Sequence, residues 1–200
     1  MKRTRTATLL SKSKVARIVD ETTKMRPAQG EFKLSFAPGR YVVYTQYNNQ
    51  TQIHVREYET KTLLNGDHHE YPTKKGVCLT PQRLKVLRNK IVEIDENLNQ
   101  RNENTVYKTH LGAGIQASVD KFNGVDLRRY WIPQGQPSIV PTKSGIYLPA
   151  VQWKSLKEKL NELVSAHPEL DDVEECFHQN QMEIYDCHEC QPFGYPIYQI

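Results

Sequence analysis

Lys74-Lys75-Gly76-Val77-Cys78-Leu79-Thr80-Pro81 and Thr142-Lys143-Ser144-Gly145-Ile146-Tyr147-Leu148-Pro149 are two versions of one pattern. Gly76 and Gly145 stand 69 positions apart. At the same offset Leu84, Leu87, Ile91 and Ile94 fall on Trp153, Leu156, Leu160 and Leu163. Their 3-4-3 spacing lines one face of a helix. Upstream, Ile53-His54-Val55-Arg56-Glu57-Tyr58 answers Val125-Asp126-Leu127-Arg128-Arg129-Tyr130, the loop after it being three residues longer in the first version. A fixed offset with two anchors marks an internal repeat.

Each version reads as strands followed by a helix. Tyr41–Tyr44 and Thr51–Tyr58 are β-rich and flank Asn48-Asn49-Gln50, a hairpin signal. Ile115–Phe122 and Val125–Trp131 flank Asn123-Gly124, the strongest short hairpin dipeptide. A leading strand is expected near Glu31–Phe36 and Thr105–His110, and a short strand after each glycine. Thr80-Pro81 supplies a cap and a first-turn proline to a helix over 81–98, and Pro149 opens a second over 150–165. A leucine-faced helix must cover something. The economical fold is α+β: two curved four-stranded antiparallel sheets, each with one C-terminal helix, packed as an intramolecular pseudo-dimer. The expected organisation is a basic tail at 1–30, a first repeat at 31–98, a polar linker at 99–104, a second repeat at 105–165 and an acidic tail at 166–200.

Charge is segregated along the chain. Residues 1–35 hold nine Lys/Arg against three Asp/Glu, residues 36–165 eighteen against twelve, and residues 166–200 none against eight. A basic front and middle suit a polyanionic partner, and ordinary solvated surface is the competing reading. No apolar run approaches the roughly 18 residues of a membrane span, and the basic start lacks an apolar signal core. The four cysteines do not form the even spread of a disulfide scaffold. Together these features predict a chain that is neither membrane-bound nor secreted.

The ordered set of motifs resembles the positive cofactor four family of transcriptional coactivators. The first half offers Arg40-Tyr41-Val42-Val43-Tyr44, Tyr47, Val55-Arg56-Glu57-Tyr58, Lys74-Lys75-Gly76 and the Pro81 helix. The second offers Phe122, Leu127-Arg128-Arg129-Tyr130-Trp131, Lys143-Ser144-Gly145 and the Trp153 helix. The likeness spans about residues 32–165. It departs at Glu59, where the family has tryptophan, at Asp120, where it has arginine, and at Gly114-Ile115-Gln116, which replaces the Arg-Tyr-Val start. The resemblance implies a single-stranded DNA-binding, non-enzymatic protein that works with transcription or replication proteins, in the nucleus or wherever viral or mobile-element DNA is handled; the two matched seams in one chain predict a monomer with an internal pseudo-dimer.

Single strands are held by cations on phosphates and by aromatic rings under bases. The candidate contacts are therefore Arg40, Tyr47, Arg56, Lys74, Lys75, Phe122, Arg128, Trp131 and Lys143. Trp153 lies on the leucine face and is expected in the core. RNA binding, or a protein–protein module that has lost nucleic-acid affinity, would use the same fold. No phosphate-cradling glycine loop is present, and Asp67-His68-His69-Glu70 reads as loop. In the tail Cys176, His178, Cys187 and Cys190 have spacing that suits zinc. A redox-active Cys187–Cys190 pair and plain reduced thiols are the alternatives. The aromatic, proline-rich end, Pro192–Tyr198, is expected to dock on a surface.

Overall fold

In the computed structural model, the residues described are 32–100, 106–179 and 187–193. The expected basic tail, residues 101–104 of the expected linker and residues 194–198 of the expected docking segment lie outside them. Two antiparallel meanders follow each other along the chain, each with its strands in sequence order. The first comprises β1 (Phe32–Ala37), β2 (Arg40–Tyr47), β3 (Gln50–Thr62) and β4 (His68–Leu79), and leads into α1 (Pro81–Asn89) and α2 (Ile91–Gln100). The second comprises β5 (Tyr107–Gly112), β6 (Ile115–Asp120), β7 (Gly124–Trp131) and β8 (Val140–Pro149), and leads into α3 (Ala150–Ala166). A 3-10 turn at Pro168–Leu170 and a short α4 (Cys176–Gln179) follow. This is the α+β pseudo-dimer expected from the repeat.

The asparagines set the hairpins. Asn48 and Asn49 adopt φ of 50° and 60°, and Asn123 adopts 58°, the left-handed values that tight hairpins need and that asparagine tolerates. Alternate strand residues enter the core, although Val43 and Ser118, on the opposite face, are buried as well. Val42 and Tyr44, Ile53 and Val55, and Val77 and Leu79 are buried on one face of the first sheet. Ala117 and Val119, Val125 and Leu127, and Ile146 and Leu148 do the same in the second.

Three local expectations need correction. The glycines do not precede short strands; Gly76 and Gly145 lie inside the long β4 and β8. His68, His69 and Glu70 are not loop but open β4, where they pair with Thr62, Lys61 and Thr60. The first helix is also not continuous. It breaks at Lys90, whose N–H reaches back to the carbonyls of Val86 and Leu87, 3.1 Å each. Ile91 is consequently only partly buried, and the seam is carried by Leu84, Leu87, Ile94 and Leu98.

The helices cross between halves. α3 packs on β1 and β2 as well as on β7 and β8, while α1 touches β5 and α2 touches β6 and β7. The result is one continuous apolar cluster that contains Trp153, Leu156, Leu160 and Leu163 beside both sheets. Trp153 is buried, as expected, and its indole N–H donates to Asp95 of α2 at 2.7 Å. Lys157 engages the other Asp95 oxygen. Outside the core, β4 lies against β8, although the two sheets share no ladder.

The start of the acidic tail belongs to this body. Leu170 is buried in the cluster, and the His167 ring stacks on Tyr44 with centroids 4.0 Å apart. Asp171 pairs with Arg88, Glu175 accepts from Asn89, and Lys85 donates to the carbonyls of Asp171 and Val173. These carboxylates therefore sit on α1.

Candidate nucleic-acid interface

The outer face of each sheet carries the same device at the same place. On β3, Ile53 and Val55 enter the core and Arg56 faces the other way, opposite Gly76. The register then slips, so that Tyr58 pairs with Pro72, and Thr73-Lys74-Lys75 bulges from β4. Thr73 closes the bulge: its hydroxyl donates to the Glu57 carbonyl (2.8 Å) and accepts from the Lys75 N–H (3.1 Å). Arg56 donates to the Thr73 carbonyl at 2.7 Å. In the second half Arg128 opposes Gly145 and Tyr130 pairs with Pro141. The Thr142 hydroxyl donates to the Arg129 carbonyl (2.8 Å) and accepts from the Ser144 N–H (3.1 Å), and Arg128 donates to the Thr142 carbonyl at 2.9 Å. The glycines are required by this packing. A Cβ on Gly76 would meet the Val55 carbonyl at 2.6 Å, and one on Gly145 would meet the Arg128 side chain at 2.8 Å.

Where β4 meets β8 the two bulges frame a pair of clefts. One, of about 320 Å³, is lined by Arg40, Glu57, Lys75, Arg128, Lys143, Tyr147 and Gln152 among others. The other, of about 330 Å³, is lined by Arg56, Lys74, Cys78, Arg83, Ile115, Arg129 and Ser144 among others. The linings are one set exchanged between halves. Arg128 stands for Arg56, Lys143 for Lys74, Tyr147 for Cys78, Gln152 for Arg83, Glu57 for Arg129 and Arg40 for Ile115. The clefts are thus related by the pseudo-two-fold between the sheets.

Their charge differs sharply. In the first, Glu57 binds Arg40 at 3.1 Å and Lys75 at 2.7 Å. Arg40 also donates to the Tyr147 carbonyl (2.8 Å) and to Gln152 (2.6 Å). Its guanidinium clasps the two halves together. Arg128 is held by both oxygens of Asp126, at 2.7 and 3.1 Å. Among the described residues, Lys143 is the only cation of this cleft without a carboxylate partner. Among the described residues, no carboxylate contributes to the lining of the second cleft. Arg56, Lys74 and Arg129 have no carboxylate partner among the described residues, and Arg83 pairs with Glu189 of the tail, 2.5 Å from each oxygen. His54, behind Arg56, is pushed below the usual imidazole range by burial and by that arginine, so it stays neutral here. Burial raises the Cys78 thiol despite Arg56, Arg83 and Arg129 nearby.

The aromatic residues divide into two groups. Tyr47, Phe122 and Trp131 are exposed, at 65%, 70% and 51%. Phe122 lies in the β6–β7 turn and Trp131 at the far end of the eight-residue β7, which spans roughly 23 Å at strand rise, so they do not share a patch. The rings beside the second cleft are others. Tyr41 is the cross-strand partner of Arg56 and packs edge-to-face on Tyr58 at 5.3 Å. The Lys33 ammonium sits 3.9 Å from one ring centroid and 4.0 Å from the other, a favourable cation–π geometry. In the second half Lys108 stands 5.8 Å from the Tyr130 ring. Arg83, Arg129, Lys33, Tyr41 and Tyr58 were thus not singled out from sequence. The signal for Arg129 was present, because it aligns with Glu57 and reverses that position's charge.

The tail cysteines also converge. The sulfurs of Cys176, Cys187 and Cys190 lie within 4.8 Å of one another, and His178 falls outside that group.

Residues 38–90 match the family model described as Transcriptional Coactivator p15 (PC4). The matched stretch runs from the β1–β2 turn through α1 and ends at the Lys90 break. No curated protein and no solved structure matches the chain. Among the described residues no helix is long and apolar enough to cross a membrane.

The Glu57 clasp gives a pH signature. Its hydrogen bond from Lys75, with the charges of Lys75 and Arg40, holds the carboxyl below the usual range. A depressed folded-state pKa stabilises fully above the ordinary carboxylate value and is lost as pH falls through the folded value. Glu57→Gln should therefore melt earlier than wild type at neutral pH, and the gap should close in acid. A gap that stays constant into acid would show that Glu57 acts through packing rather than charge.

Proposed function

We propose that the chain binds single-stranded nucleic acid, with DNA the preferred strand, across the seam between its two sheets. The observation that carries this reading is the second cleft, where Arg56, Lys74 and Arg129 converge with no carboxylate in the lining. Unpaired cations in a concave site favour a polyanion and release its counterions on binding. Beside them, Tyr41 and Tyr58 offer ring surface for bases, each stack worth about 1–3 kcal/mol. The first cleft, with its cations largely neutralised, continues the path with a weaker grip. The surface is therefore lopsided: one half grips and the other supports.

The second half is read as a diverged copy of the matched domain, because it repeats the threonine-closed bulge bond for bond. The family match at residues 38–90 supports a role with transcription proteins, in coactivation or in replication and repair, and hence a nuclear location. Among the described residues no helix is set to present base-reading side chains to a groove, so weak sequence preference is expected. The set of contacts expected from the sequence narrows under this reading. Arg56 and Lys74 grip, Lys143 and Lys75 flank, Arg40 and Arg128 brace the scaffold, and Tyr47, Phe122 and Trp131 serve longer strands at the hairpin ends.

Ultraviolet crosslinking of the full chain to a labelled single strand, read by mass spectrometry, tests the path. Crosslinks are expected at Tyr41, Tyr58 and Tyr130. Crosslinks confined to residues 166–193 would refute it.

A further inference from the structure

The geometry points to a zinc site formed by the three thiolates of Cys176, Cys187 and Cys190, which fastens the C-terminal tail to the body. It is independent of the nucleic-acid reading.

Two observations converge. First, the sulfurs are already gathered. All three lie within 4.8 Å of one another, none of the cysteines is in a disulfide, and Cys176 Sγ stands 3.4 Å from Cys187 Sγ. Second, Cys187-His188-Glu189-Cys190 forms a tight turn, closed by the Gln191 N–H donating to the Cys187 carbonyl at 2.7 Å. Inside it the backbone N–H groups of Cys190 and Glu189 are directed at the Cys187 sulfur. Backbone donors aimed at a sulfur suit a thiolate, and the thiolate is the metal-binding form. Zinc is suited to thiolates gathered in this way.

The cluster is placed to hold something. The Ala113 N–H donates to the Glu189 carbonyl at 2.9 Å, and the Glu189 carboxylate grips Arg83 of α1. Gly112 leaves the room: a Cβ there would sit 2.1 Å from a Glu189 oxygen. A metal on Cys187 and Cys190 fixes the turn that carries Glu189, and through Cys176 joins it to α4. The fourth position falls to a non-cysteine ligand, since Cys78 lies in the cleft lining on β4. Among the described residues the cluster consists of these three sulfurs, and His178 lies outside it.

The test is metal content of the reduced full-length chain after dialysis, with cobalt substitution as a second readout. About one zinc per chain is expected, with intense thiolate-to-cobalt charge transfer and tetrahedral d–d bands in the cobalt form. Cys187→Ser and Cys190→Ser should each cut retained metal at least about tenfold. Cys78→Ser should retain it and show the variants' loss is specific, and His178→Ala should keep the charge-transfer band. A metal-free reduced chain, a Cys176–Cys187 disulfide with no bound metal, or full retention in Cys187→Ser would each overturn the assignment. Circular dichroism of the serine variants separates ligand loss from unfolding: a folded, metal-free variant supports the site. If a serine variant does not fold, cobalt titration of the reduced wild type decides, and absence of the charge-transfer band overturns the site.

Discussion

Trp153→Ala is expected to lower the free energy of unfolding by about 3–5 kcal/mol and the melting temperature by roughly 6–20 °C. The indole is nearly inaccessible at 1% exposure and lies in the cluster shared by both sheets. Truncation leaves a cavity that two packed sheets and a helix cannot easily collapse. It also removes the N–H donor to Asp95, whose remaining partner is Lys157. A total stability of about 5–15 kcal/mol for a domain makes that loss severe. Trp153→Phe retains most of the apolar volume and loses chiefly the hydrogen bond, so its cost should be smaller. Thermal unfolding followed by near- and far-ultraviolet circular dichroism should show one transition in each protein, because α3 packs on both sheets. A loss below about 1 kcal/mol, or two transitions with only one shifted, would contradict a shared core.

The second large effect is on binding. Replacing Arg56, Lys74 and Arg129 together by alanine should weaken single-strand binding about 10–100-fold at low salt. The slope of log affinity against log salt should fall by about 2, since each neutralised phosphate on a single strand contributes about 0.7. Arg56 also ties the bulge through the Thr73 carbonyl, so Arg56→Lys is the control that keeps charge and loses the fork. Arg128→Ala should do much less to affinity, because Asp126 already neutralises that arginine. Equal losses for Arg56→Ala and Arg128→Ala would argue that both clefts grip alike and that the charge asymmetry has no consequence.

Much of the fold was legible because it is written in local chemistry. The asparagine turns state a local backbone requirement, and the 3-4-3 seam states a helix face that has to be covered. The break at Lys90 was not legible. Leu87, Ile91 and Ile94 keep helical spacing across it, and no proline or glycine marks it. The chain bends so that Ile94 and Leu98 stay buried while α2 reaches β6 and β7 of the other half, which is a tertiary demand. The candidate site was legible in its charge and not in its geometry. Arg56 and Lys74 follow from the motif beside Gly76. That Arg129 joins them depends on β4 meeting β8, a contact between residues far apart in the chain. The fixed position of Arg40 depends likewise on Glu57 and on Gln152 of the other half, whereas Asp126 neutralises Arg128 from two residues away on the same strand. Exposed aromatics at hairpin ends looked equivalent to Tyr41 and Tyr58 until the register set Tyr41 beside Arg56.

The most direct measurement is a fluorescence-anisotropy titration of the full chain with one labelled oligonucleotide, presented single-stranded and as a duplex, across a range of salt. The account predicts tighter binding of the single strand at every salt concentration. It further predicts that affinity falls steeply as salt rises, with a residual from ring stacking at high salt that Tyr41→Ala reduces. Equal affinity for both forms, or no binding at low salt, would contradict it.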